Sequence, residues 1–289
     1  MTIGIGIVGA GKAGQILGRA FGACPNAEVV RIMSRTHASA QRLADELGAK
    51  ASGTELSALL QDSRVDAVIV ASPDRFHCEQ AVAAARAGKH VLCEKPMCNT
   101  VAEARHMIAA AAEAGVKLMV GFGERFNQPC MEAKERIEKG EIGKPVMILA
   151  RRCHPTSIVR GRTWLNDEET GGVLNYAGSH NIDLICWFMD SEPERVYAET
   201  GKLVLPPEQN FTDSAVMTFR FKNGGIAALY ESFGYPSPYP HGVDRSIEIL
   251  GTAGKLDINF MSQPLTVNTA SGHAVADSAA WAQIHGPLV

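Results

Sequence analysis

The chain has 289 residues, 46% hydrophobic and 20% charged, which excludes a disordered or fibrous protein and leaves room for two domains. A net charge of −3, with no basic run longer than Arg151-Arg152, gives no electrostatic case for nucleic acid or an anionic membrane as partner. The seven cysteines are odd in number and scattered, without a CxxC pair or zinc spacing, and read as reduced thiols with no metal site. The opening MTIGIGIVGAG lacks a basic, cleavable signal pattern, and no run of about 20 apolar residues occurs, so the expected location is cytoplasmic and no membrane span is expected.

From the N-terminus, IGIGIVGAG reads as a buried strand that ends in glycines, and residues 12–23 carry apolar residues at helical spacing. AEVVRIMSR is a second strand, and HASAQRLADELG is a helix closed by Gly48. VDAVIVASP is a third strand, stopped by Pro73. A helix over RFHCEQAVAAARAGK, the short strand HVLCEKP, the helix VAEARHMIAAAAEAG closed by Gly115, and the strand VKLMVGF follow. Strands separated by helices of this length predict a parallel sheet with helices on both faces. Beyond about residue 125 the texture changes. A helix near 128–139 leads to the strand PVMILARRC and a long irregular stretch, and SHNIDLICWFMD reads as a helix starting near Gly178 or Ser179. Then come five strand-like runs: ERVYAETGKL, DSAVMTFRF, GIAALYESFG, RSIEILGT and GKLDINF, with KNGG at 222–225 as a hairpin turn. The predicted architecture is α/β: an N-terminal Rossmann dinucleotide-binding domain over 1–124, and a C-terminal α+β domain with a mostly antiparallel open sheet over 125–289.

Gly9-Ala-Gly11-Lys12-Ala13-Gly14 fits G-x-G-x-x-G between the first strand and the first helix, the context a dinucleotide site requires. Gly9 permits the tight turn, Gly11 lets the backbone approach a pyrophosphate, and Gly14 lets the helix pack on the strand. The end of the second strand carries Ser34 and Arg35 instead of the acid that binds the ribose hydroxyls of NAD. A guanidinium can pair with a 2′-phosphate, so NADP is favoured, with NAD possible. Ser72, Pro73 and His77 in ASPDRFH and Glu94 and Lys95 in CEKP lie at further strand ends, where ligands sit in open α/β sheets.

These stretches carry a family resemblance. GAGKAG, the block DAVIVASPDRFHCEQAVAAARAGKHVLCEKP at 66–96, GFGERFNQP at 121–129 and GGVLNYAGSHNID at 171–183 resemble the glucose–fructose oxidoreductase/inositol dehydrogenase/MocA family, in order over nearly two thirds of the chain. The block ending in Glu94-Lys95-Pro96 is far more specific than the glycine motif. The resemblance implies an NAD(P)-dependent oxidoreductase acting on a sugar, inositol or related polyol as its small-molecule substrate. It implies Lys95 as the catalytic-site lysine and His180 as proton donor or acceptor, with Pro73 and His77 lining the nicotinamide side and Arg125 near the junction of the domains. It also implies a homo-oligomer, dimer or tetramer, formed through the C-terminal sheet.

Oxidising a secondary alcohol requires a proton acceptor as well as a hydride acceptor. An imidazole suits the first because its ordinary pKa is near neutrality, and a lysine can stabilise the developing negative charge. At helical spacing His180, Asp183 and Trp187 share a face. Asp183 either orients the imidazole or complements the positive helix start. Arg125, Tyr176, His180, Asp183 and Lys95 are the candidate substrate contacts. Tyr176 departs from the family, many of whose members carry Asp or Asn there; its hydroxyl either donates to substrate in catalysis or its ring fills the pocket. The chain also ends at AWAQIHGPLV, where family chains generally continue: either it is a short member or a terminal segment has been lost, and the missing helix would leave apolar surface for a partner copy to cover. Tyr235, Tyr239 and His241 lie in a proline-rich loop that either reaches the substrate crevice or is plain surface. Two other functions remain open: a lyase or glycosidase that uses a retained NAD(P) for transient oxidation, and a non-catalytic NADP-binding regulatory protein.

Overall fold

In a computed structural model that describes residues 2–159, 174–206, 212–235, 243–260, 265–269 and 272–276, the strand–helix alternation of the first part becomes a six-stranded parallel sheet. Its strands are β1 (Ile3–Val8), β2 (Ala27–Met33), β3 (Ala51–Gly53), β4 (Ala67–Val70), β5 (His90–Cys93) and β6 (Leu118–Val120). The order is β3-β2-β1-β4-β5-β6 and every neighbouring pair is parallel. The helices are α1 (Lys12–Gly22), α2 (His37–Leu47), the short α3 (Leu56–Leu60), α4 (His77–Arg86) and α5 (Val101–Glu113). β3 and α3 are additions to the sequence reading, and a 3₁₀ turn at Asp74–Phe76 precedes α4. This unit spans Met1–Gly121.

Local chemistry sets these boundaries. Thr36 caps α2 by accepting from the Ser39 N–H at 3.3 Å, and Gly48 closes it at φ 69°. Thr100 and Glu103 form a reciprocal capping box on α5. The sheet is buried on both faces. Ile5, Ile7, Ile32 and Ile69 pack with α1 and α2 on one side, and Val8, Val68, Val70 and Val91 pack with α3, α4 and α5 on the other. That double coverage explains strands that read as continuous apolar runs.

The second unit, Phe122–Val289, is built on an eight-stranded sheet. Its strands are β7 (Pro145–Pro155), β8 (Pro193–Gly201), β9 (Ser214–Phe221), β10 (Ile226–Tyr235), β11 (Asp244–Gly251), β12 (Gly254–Asn259), β13 (Leu265–Thr269) and β14 (Gly272–Ala276), in the order β14-β13-β12-β11-β7-β10-β9-β8. Only the central β7–β10 pair is parallel; the other six described pairings are antiparallel. β13 and β14 are further additions to the sequence reading. Lys222–Gly225 makes the β9–β10 turn, with Gly224 at φ 85°.

Two helices, α6 (Gln128–Glu138) and α7 (Ser179–Met189), cover one face of this sheet. Strand alternation puts Ile148, Met217, Phe219, Leu229, Ile247 and Ile249 inward against Cys130, Ala133, Leu184, Ile185 and Phe188 of the helices. The other face stays open, with Leu149, Tyr197, Val216, Ile226 and Tyr230 exposed. No helix among the described residues is long and apolar enough to cross a membrane. No group of three His, Cys, Asp or Glu side chains among them converges as a metal site.

Phe188 is fully buried at the centre of that helix–sheet core. Phe188→Ala removes its ring and leaves a cavity, and is expected to destabilise this unit by about 3–5 kcal/mol. Urea unfolding followed by the near-ultraviolet signal of the intact chain measures it.

Candidate functional site

In the first unit, the parallel sheet brings the carboxyl ends of all its strands to one edge. The order reverses at β1, which has β2 on one side and β4 on the other, so a crevice opens there. Gly9 sits in the β1–α1 turn at φ 107°, and a Cβ on it would come within 2.4 Å of the Ala71 carbonyl oxygen. A Cβ on Gly14 would lie 1.9 Å from the Gly9 carbonyl oxygen. Both glycines are therefore required by space. Gly11 differs: it is the N-cap of α1, it supplies no capping side chain, and a Cβ there would meet nothing within 4 Å. Open space above an uncapped helix start, with Lys12 exposed and Ala13 half-buried beside it, fits a pyrophosphate.

At the end of β2, Ser39 Oγ donates to Ser34 Oγ at 2.9 Å and lies 2.8 Å from Thr36 Oγ1, forming a cluster of hydroxyls. Arg35 beside it is exposed. After β4, Ser72 Oγ donates to Gln80 at 2.6 Å. His77 is buried, with its ring nitrogens 2.9 Å from the Pro96 and Ser72 carbonyl oxygens. It works as a clamp that ties the Ser72-Pro73 loop to the loop after β5. That second loop holds Glu94 and Lys95; the Lys95 N–H donates to Glu94 Oε2 at 2.9 Å, and the Lys95–Pro96 peptide bond is cis. Burial raises the Glu94 carboxyl, with Lys95 and His77 pulling the other way.

In the second unit, His180 lies in the first turn of α7, directly after a π-helical turn at Leu174–Gly178 that carries Asn175 and Tyr176. Such turns are frequent at functional sites. Ser179 Oγ donates to the Asn175 carbonyl at 2.9 Å and stitches the turn to the helix. The Tyr176 ring is half-buried, 5.9 Å from the Phe233 ring, in a small cluster with Val159, Ala177 and Leu205. Gly171 and Gly172 of the same motif, Tyr239, His241 and the terminal residues 277–289 lie outside the described residues.

Below the start of α7 lies a buried charge cluster that the sequence reading did not find. Arg152 donates from Nε to Asn181 Oδ1 at 2.9 Å and from Nη2 to Glu124 Oε1 at 3.0 Å. Arg245 donates to the same Glu124 oxygen at 2.7 Å. Burial alone would raise the Glu124 carboxyl, but Arg152 and Arg245, with His180 adding to them, hold it well below the usual carboxylate range. Arg125 and Asp183 form a bidentate pair at 2.7 and 2.6 Å, and the Arg125 guanidinium stacks 5.4 Å from the Trp187 ring. Both Asp183 oxygens are thus engaged by Arg125, and Asp183 braces the segment before α6 against α7. A signal for the cluster was present. Arg152, Glu231 and Arg245 occupy inward positions of strands whose inward residues Ile148, Ala150, Ala227, Leu229, Ile247 and Ile249 are apolar, a row that alternation alone would flag.

Known proteins share this fold. The chain is 30% identical to the myo-inositol 2-dehydrogenase of Thermotoga maritima, over 92% of this chain and 78% of that one. It is 32% identical to the 1,5-anhydro-D-fructose reductase of Ensifer adhaerens, over 86% and 74%. A levoglucosan dehydrogenase solved with NADH and levoglucosan has the same fold, with a TM-score of 0.89 at 23% identity over 96% of this chain and 80% of that one. Residues 3–122 match the model of an oxidoreductase family with an NAD-binding Rossmann fold, and residues 130–257 match the GFO/IDH/MocA C-terminal domain. The chain therefore belongs to the Gfo/Idh/MocA family of oxidoreductases.

Proposed function

We propose that this chain is an NAD(P)-dependent dehydrogenase that transfers a hydride between the nicotinamide and a secondary hydroxyl or carbonyl of a sugar, inositol or related polyol. One observation carries the reading: the Gly9–Gly14 cradle and Lys95 lie on the same strand-end edge of one parallel sheet. Relatives named for inositol and anhydrosugar substrates support the substrate class.

The bound nicotinamide supplies the hydride acceptor or donor. Gly9, Gly11, Lys12, Ala13 and Gly14 hold the pyrophosphate by backbone N–H groups and open space. Ser72, Pro73 and Glu94 line the crevice wall, and His77 fixes that wall from beneath. Lys95 hydrogen-bonds the reacting oxygen and stabilises its developing negative charge. His180 takes the hydroxyl proton in oxidation and returns it in reduction. Tyr176, on the turn just before His180, narrows the pocket with its ring and offers one hydroxyl to the substrate. Arg125 and Asp183 contact substrate, if at all, as a fixed pair. Arg35, exposed beside the Ser34–Ser39 hydroxyls, favours NADP over NAD because its guanidinium can pair with a 2′-phosphate. A second copy of the chain covers the open sheet face at Leu149, Tyr197, Val216 and Tyr230.

Lys95→Ala and His180→Ala are each expected to lower turnover by about a hundredfold or more while dinucleotide binding survives. The assay is a panel of inositols and sugars, myo-inositol and levoglucosan included, followed by NAD(P)H absorbance with each cofactor. Unchanged turnover in both variants would overturn the site. Product formed without NAD(P)H accumulation would point to transient oxidation by a retained cofactor. Titration of dinucleotide fluorescence tests Arg35: Arg35→Ala should weaken NADPH about tenfold more than NADH. Val216→Glu places a charge on the open face and is expected to yield monomers in light scattering after gel filtration; an unchanged mass would remove this face from the interface.

A further inference from the structure

The inward row shared by β7, β10 and β11 contains one group with no role so far. Glu231 is fully buried, and neither of its carboxyl oxygens has a hydrogen-bond partner among the described residues. Groups left in that state are rare and call for a physical reason. Its register partners are Arg152 on β7 and Ala215 on β9. Arg152 stands beside it, yet turns its guanidinium to Asn181 and Glu124 instead.

The turn before α7 also lies against Glu231. A Cβ built on Gly178 would lie 2.3 Å from Glu231 Oε2 and 3.1 Å from Cδ. Gly178 has φ −62°, which any residue adopts, so glycine is needed there for space and not for backbone conformation. Gly178 closes the π-helical turn, two residues after Tyr176 and two before His180. The carboxyl of Glu231 therefore rests on the backbone that aims both side chains.

We propose that Glu231 is a positioning residue of the candidate acid–base site: its carboxyl group fills the notch left by the missing Cβ of Gly178 and sets the turn that carries Tyr176 and His180, while leaving the Arg152 guanidinium to Asn181 and Glu124. The inference rests on the reading of His180 as the acid–base group. Burial raises the Glu231 carboxyl to about 8 against the opposing pull of Arg152, so at neutral pH the side chain is an uncharged acid. Ionised, it would compete with Glu124 for Arg152 and loosen the bond from Arg152 to Asn181, the residue next to His180. Around Glu231, β7 presents Arg152, which reaches Glu124 and is joined there by Arg245 of β11. β9 and the turn present Ala215 and Gly178, which do not titrate.

The test needs no substrate. In the intact chain with NADH bound, the His180 ring resonance is identified by its loss in His180→Ala and followed against pH by NMR. The wild-type resonance should show an inflection at about pH 8, and Glu231→Gln, which keeps the shape without the charge, should abolish it. A wild-type curve without that inflection overturns the proposal whether or not the variant folds, and so does an inflection retained in Glu231→Gln. Thermal unfolding gives a second measurement. In the unfolded chain the carboxyl ionises near its ordinary value of 4.5, whereas the folded chain holds the proton to about pH 8. Folding therefore takes up a proton in that window, and stability falls as pH rises through it. The Tm of Glu231→Gln relative to wild type should rise by about 6 °C between pH 5 and pH 8. A constant difference overturns the proposal. The turnover of His180→Ala is a separate readout, so failure of the acid–base reading and failure of the Glu231 assignment are told apart.

Discussion

In the second unit, one guanidinium ties the sheet to the start of α7. Arg152 points inward from β7 and splits its donors between Asn181, in the first turn of α7, and Glu124, in the segment that leads to α6. The sheet thereby grips the start of the helix that bears His180. A buried ion pair adds little net stability over well-packed apolar groups, whereas removing one member leaves an uncompensated charge. The contribution of this cluster is therefore placement. The apolar part of the same inward face, around Phe188 and Leu229, supplies the burial that holds the fold, and the polar row at its end supplies direction.

The first unit solves its placement problem by topology. Parallel strands share one carboxyl edge, so the glycine turn after β1, the hydroxyls after β2 and the loops after β4 and β5 converge without any long connection. His77 then links the last two loops through their carbonyls and removes the freedom that separate loops would have. The residues that would touch a cofactor are thus held by strand ends and one buried ring.

Much of this was legible in the residues. Apolar runs interrupted by glycine gave away the parallel sheet, because strands buried on both faces have no alternation to hide. Gly48 and Gly115 marked helix ends correctly because a left-handed cap is cheap only for glycine. β3 and α3 escaped notice because three and five residues are too few to show a period. Arg151-Arg152 read as a short basic run, which is true of charge but not of burial: the first residue faces out, and the second is 4% exposed within the core face. The Arg125–Asp183 pair spans 58 positions, a distance across which helical spacing is silent. From its place on the helix face Asp183 can either orient His180 or complement the helix start, and in the structure both of its oxygens are engaged by Arg125. Tyr176 stood out as a departure from the family, but its ring contact with Phe233 depends on a strand far along the chain.

β8 ends the second sheet, and every residue from Pro193 to Thr200 is exposed. A bare edge of this length is a template for adding strands from other molecules. Here the proline at its start lacks an N–H to donate, and Glu194, Arg195 and Glu199 place charge along it, which disfavours such addition. The open face beside that edge is guarded in the same way: exposed Arg220, Glu248 and Glu199 stand opposite Ile226, Leu149 and Val216 in the register.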